Sequence, residues 1–148
     1  MNKVTLHTLP LLALLLFTGS VHAQSNGNRI GFGVDQGLGI TGSIANLNLF
    51  IGDDGIAADY IFNRDKLKVE IPGPVKWYIG VGAYHDWDKD DETGVRLPVG
   101  VEWYFVDRLD AYLQLAPKLG YKDKDGRGND NDHLDFGVDA AIGVRYSF

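Results

Sequence analysis

The 148-residue chain contains no cysteine. Disulfides, thiolate metal sites and a cysteine-linked lipid anchor are therefore all excluded. Basic charge is also scarce, 14 Lys and Arg against 20 Asp and Glu, a formal net charge of −6. That balance argues against binding nucleic acid or any polyanionic surface by bulk electrostatics. Long apolar runs are missing beyond the first 23 residues, so no segment there can form a transmembrane helix.

The first 23 residues differ from the rest. Lys3, the apolar run Leu11 to Phe17 and the small-residue pattern Val21-His22-Ala23 have the order of a cleavable secretory signal, and the run is too short to anchor the chain. The expected organisation is a signal peptide over 1–23 and a single domain over 24–148.

What the domain does contain is alternation. From Leu134 to Phe148 every second residue is apolar (Leu134, Phe136, Val138, Ala140, Ile142, Val144, Tyr146, Phe148), while the residues between them are small or charged. Side-chain period two gives a strand with one apolar face. The same pattern predicts strands over Arg29 to Asp35, Leu38 to Ala45, Leu47 to Gly52, Gly55 to Phe62, Trp77 to His85, Thr93 to Phe105 and Leu109 to Ala116, about eight in all. Lys66 to Ile71 alternates as well and reads as an extension of the fourth strand. Pro98 has no N–H for a ladder, so it marks a bulge or a missing bond inside the sixth, Thr93 to Phe105. An all-β chain of this pattern can be a transmembrane antiparallel up-and-down β-barrel, the available way to span a bilayer without apolar helices, or a secreted soluble barrel or sandwich with its apolar face inward.

Resemblance favours the first. An unbroken alternation ending in Tyr146-Ser147-Phe148 behind a secretory signal resembles the C-terminal strand of bacterial outer-membrane β-barrels. VRLPVGVEWYF at 95–105, LQLAP at 113–117 and AIGVRYSF at 141–148 look like a poorly characterised group of small porin-like proteins, akin to the outer-membrane protein A and X type. The resemblance implies a location in the cell outer membrane and both chain ends on the periplasmic side. Its implied partners are outer-membrane lipids and the barrel assembly machinery, with Tyr146 and Phe148 as the assembly signal. It implies no activity. On this arrangement Tyr60, Phe62, Trp77, Tyr78, Trp103, Tyr104, Phe105, Tyr146 and Phe148 fall at one level, as interfacial aromatics do, with Tyr84, Trp87 and Tyr121 at the other.

The face opposite the apolar one carries Asp59, Arg96, Glu102, Asp110, Gln114, Asp139 and Arg145. In a narrow barrel these groups are expected to pair as a structural ion-pair core, with Glu102 and Asp59 at the level of Arg145. The sharper alternative is a gated proton or ion path. Asp123, Asp125, Gly126, Asn129 and Asp132 partly match a calcium loop, but Tyr121 occupies the first ligand position, and a solvated loop is expected instead. His85 with Asp86 and His133 with Asp132 could supply an acid and base, yet no nucleophile accompanies them. The expectation is a structural or surface-interaction protein with no cofactor, no metal and no nucleic-acid partner, whose acidic outer loops meet surface ligands; a lipid-modifying enzyme or small-solute pore is the alternative.

Overall fold

The computed structural model describes residues 27–88, 91–122 and 134–148. The signal segment therefore lies outside the described residues. So do Lys89, Asp90 and the whole stretch 123–133, including the calcium-like loop and His133.

Nine antiparallel strands form one sheet: β1 (Arg29–Asp35), β2 (Gly37–Ile44), β3 (Leu47–Gly52), β4 (Gly55–Leu67), β5 (Val75–Asp86), β6 (Glu92–Arg96), β7 (Val99–Val106), β8 (Leu109–Lys122) and β9 (Leu134–Ser147). Each strand pairs with the next in sequence except across the β6/β7 break, and β9 returns to pair with β1. Hydrogen bonds thus close a ring through eight strands, because β6 and β7 are successive segments lying between the same two neighbours, β5 and β8. The sixth expected strand, Thr93 to Phe105, is therefore two. Pro98 is the reason: it cannot donate to a ladder, although its carbonyl still accepts from Gly80 N at 2.9 Å and the preceding Leu97 N reaches Pro117 O at 2.9 Å.

Two strand ends and one internal irregularity also depart from the sequence pattern in ways that bear on the interior. β4 runs on to Leu67, but the alternation over Val69 and Ile71 lies in the exposed 68–74 segment. β8 continues past Ala116 to Lys122, with Pro117 inside it. β4 also carries an irregularity between Ile61 and Asn63 in its pairing with β5, a bulge that resets the alternation so that Arg64 lies opposite the inward-facing Tyr78.

The ring is apolar outside and polar inside. Phe32 and Phe136 are 73% and 74% exposed, and Leu38, Ile40, Leu113, Leu115, Val138 and Ile142 share their face. Arg145 and Glu102, on the other face, are 1% and 0% exposed. A sandwich with its apolar face inward has the opposite partition. Both described ends and the turns at 45–46, 68–74 and 107–108 lie at one rim, called here the terminal rim; the turns at 36 and 53–54, and Trp87 and Asp88 at the end of β5, lie at the opposite rim. Most of the expected aromatics do line the terminal rim on the outer face, where Trp103 Nε1 donates to Pro72 O at 2.7 Å and its ring tilts against Phe105 at 5.4 Å. Tyr78 and Tyr104 do not join them, and Tyr84 does not join Trp87 and Tyr121 outside the opposite rim, because their strand positions turn all three inward.

Candidate functional site

Inward positions along each strand fill the ring with polar side chains, and glycines decide which of them can meet. In the ladder Gly82 of β5 stands between Asp59 of β4 and Arg96 of β6. With no side chain there, the Arg96 guanidinium reaches across to Asp59; a Cβ at Gly82 would collide with the Asp59 carboxylate. Gly100 likewise lies under Tyr78, whose hydroxyl crosses β7 to donate to Gln114 Oε1 on β8 at 2.8 Å. Gly143 lies under the Tyr112 ring, which Arg145 stacks over at 4.5 Å.

Two charged clusters result. Toward the terminal rim, Arg145 donates from Nε and Nη2 to Asp110 Oδ2 at 3.0 and 2.6 Å and from Nη2 to Glu102 Oε1 at 2.9 Å. Arg29 joins both carboxylates, at 3.2 Å to Glu102 and 3.5 Å to Asp110, and also donates to Ser43 and to the Tyr104 hydroxyl. Tyr104 in turn donates to Glu102 Oε2 at 3.0 Å, and Arg64 approaches the same oxygen at 3.4 Å. Toward the opposite rim, Arg96 holds two carboxylates at once. Its Nε and Nη2 meet Asp59 at 2.8 and 2.7 Å, and its Nη1 and Nη2 meet Asp35 at 2.8 Å each. Beyond it Asp139 accepts from Gln36 at 2.9 Å and pairs with Lys118 at 2.9 Å, while Glu92 accepts from Tyr84 and lies 3.6 Å from Lys118 and 3.5 Å from Lys122.

Between the clusters the interior is nearly solid. The space left among Tyr78, Tyr112, Gln114, Arg96 and Arg145 is about 10 Å³, room for about one water. Each guanidinium here is planar and permanently charged, so a fork to two carboxylates satisfies several buried acceptors at once.

The residues read from the sequence thus separate into three groups. Glu102, Asp110 and Arg145 come together; Asp59 and Arg96 come together elsewhere; Asp139 belongs with Lys118. Asp59 is not at the level of Arg145, because the β4–β5 and β5–β6 registers put it in the row of Arg96, whereas the β8–β9 register puts Asp110 opposite Arg145. Arg29, Asp35, Glu92, Lys118 and Lys122 were absent from the expected network, although period two extended along β1, β6 and β8 points all of them inward. Arg64 had no such signal, since the bulge reverses its phase.

The remaining expected sites fall elsewhere. His85 Nδ1 meets Thr93 Oγ1 at 2.7 Å on the outer face near the opposite rim, with Trp87 6.3 Å away. Its neighbour Asp86 belongs to the other face of β5, so the two do not form a dyad. Among the described residues no group of three or more His, Asp or Glu side chains is arranged to hold a metal. Tyr146 and Phe148 sit at the terminal rim, where Phe148 N donates to Asn28 O at 3.1 Å, and β9 is the strand whose pairing with β1 closes the ring. In comparisons with known proteins, the chain matches no family model, no curated protein and no solved structure.

Proposed function

We propose that this chain is a small outer-membrane β-barrel protein with a side-chain-filled interior and no large pore, serving a structural or surface-interaction role. The observation that carries the reading is the partition of side chains: ion pairs fill the ring, and large aliphatic and aromatic side chains cover its outside. In water such a surface would be an aggregation hazard, because soluble monomers rarely expose contiguous apolar patches beyond roughly 300–600 Å². In lipid the same surface is solvated, and a closed ring leaves no strand edge unpaired. Rings of Trp, Tyr and Phe at the terminal rim suit a membrane interface, with Trp87 and Tyr121 a thinner counterpart opposite. In this orientation the acidic turn Asp53-Asp54 and the Trp87-Asp88 end of β5, at the opposite rim, face away from the periplasm and offer a surface to a partner.

The test is fractionation of the expressed full chain followed by planar-bilayer recording. The protein should partition with outer-membrane lipid, migrate differently on gels before and after boiling, and pass no steady current. Recovery as a soluble monomer would overturn the placement, and steady porin-sized conductance would favour the pore.

One substitution separates lipid from water at the outer face. Ile142 lies in the middle of β9 and is 58% exposed. Ile142→Arg should destabilise a reconstituted barrel by about 2–4 kcal/mol, measured by denaturant unfolding in micelles, whereas Glu70→Arg in the exposed 68–74 segment should change it by less than about 0.5 kcal/mol. Equal, small effects at both positions would mean that water, not lipid, bathes Ile142.

A further inference from the structure

The interior charges are not balanced along the axis. At the terminal rim three guanidiniums, Arg29, Arg64 and Arg145, share only two carboxylates, Glu102 and Asp110. Lys76, at the start of β5, turns inward above them as a fourth cation; its ammonium lies 5.2 Å from the Tyr104 ring centroid, and among the described residues no carboxylate is within ion-pair distance of it. Above Glu102 these groups surround a cavity of about 120 Å³, lined by Arg29, Arg64, Lys76, Tyr104, Ala45 and Ser147 and open at the rim.

We propose that this cup is an oxyanion-binding site that takes a phosphate-class group on Arg29, Arg64 and Lys76. Glu102 cannot serve all the donors that face it. Its Oε1 already receives Arg29, Arg145 and the Arg64 Nη2 at 3.2, 2.9 and 3.5 Å, and its Oε2 receives Tyr104. Arg64 Nε comes within 3.4 Å of Oε2, yet its N–H is not aimed at that oxygen and has no hydrogen-bond partner. A buried guanidinium donor without an acceptor is costly, and the side chain that carries it lines an open cavity beside an ammonium that, among the described residues, also lacks a carboxylate. A ligand with several acceptor oxygens and more than one negative charge would satisfy the Arg64 donor and neutralise the excess of cations. The volume suffices, since a cavity of about 10–15 Å³ admits one water by the same measure and a tetrahedral oxyanion replaces only a few. The bulge in β4 gains a purpose in this reading, because it is what turns Arg64 into the cup. The site depends on the closed ring alone and not on membrane placement.

Two sources carry this chemistry, free phosphate and a phospholipid headgroup curling over the rim. The full chain would be folded in phosphate-free micelles and its thermal unfolding followed with inorganic phosphate, with sodium chloride at matched ionic strength, and with short-chain phosphatidylglycerol. Phosphate at about ten times its Kd should raise the midpoint by about 3–6 °C in a saturable way, and chloride should not. Arg64→Gln combined with Lys76→Gln should abolish the shift, while Lys118→Gln, at the other end of the ring, should keep it. A response to phosphatidylglycerol alone would support the cup and assign it to a headgroup. No saturable response to either ligand, or a response that survives the double substitution, would overturn the proposal. Should the double variant fail to fold, phosphorus NMR of phosphate with the wild-type protein decides: broadening that chloride does not reverse supports the site, and unchanged lines sink it. Loss of the phosphate response would leave gel heat-modifiability intact, so failure here and failure of the outer-membrane reading are distinguishable.

Discussion

Replacing Arg145 with Leu is expected to lower unfolding stability by about 3–5 kcal/mol, the loss typical when one partner of a buried ion pair is removed and the other is left uncompensated. The geometry says which partner is left. Glu102 would keep Arg29 at 3.2 Å and Arg64 at 3.4 Å, whereas Asp110 would keep only Arg29 at 3.5 Å, and its second oxygen, Oδ1, has no hydrogen-bond partner even with Arg145 present. Asp110→Leu in the Arg145→Leu background should therefore recover part of the loss, with a coupling of about 0.5–3 kcal/mol. Glu102→Leu in that background should recover less, because it would leave Arg29 and Arg64 facing each other across an empty position. Denaturant unfolding in micelles of the two single acidic variants, Arg145→Leu and both doubles measures this directly. If Glu102→Leu rescues as well as Asp110→Leu, the assignment of Asp110 as the dependent partner is wrong.

At the other end of the interior, Arg96→Leu should cost as much or more, about 3–5 kcal/mol, because it strands two carboxylates rather than one. Arg96 makes four hydrogen bonds of 2.7 to 2.8 Å to Asp59 and Asp35, and the side-chain amides that would remain beside those carboxylates, Gln36 at 3.3 Å from Asp35 and Gln114 by Asp59, carry no charge to replace it. Arg96→Lys keeps the charge but not the fork. A single ammonium cannot span both carboxylates in the plane that Gly82 leaves open, so the lysine variant should recover only a minor part of the loss. Asp59→Asn combined with Arg96→Leu should be more stable than Arg96→Leu alone. Unfolding midpoints in urea, followed by tryptophan fluorescence, test both statements, and a lysine variant as stable as the wild type would show that charge rather than bidentate geometry holds the cluster.

How much of this was legible in advance depends on how local each signal was. The alternation of Leu134 to Phe148 and of β5 needs no partner to be read, because period two follows from strand geometry itself. For the same reason the inward position of Arg96, Glu102, Asp110, Asp139 and Arg145 was accessible from the chain alone. Lys118 and Lys122 were equally accessible in phase, but the expected strand stopped at Ala116, whereas β8 continues through Pro117 and pairs with β9 across it. Asp59 was placed inward correctly and given the wrong partner, since pairing depends on register between strands and that is fixed only when the ladders form.

By itself, then, the sequence determined an all-β chain with two chemically distinct faces, because alternation is a property of each strand taken singly. Tertiary structure decided the rest. Ladder registers put Asp59 with Arg96 and Asp110 with Arg145, the break at Pro98 turned one strand into two, the return of β9 to β1 closed the ring, and the bulge after Ile61 carried Arg64 inside. These are relations between segments distant in the chain, and their energies exist only once the backbone hydrogen bonds have brought those segments side by side.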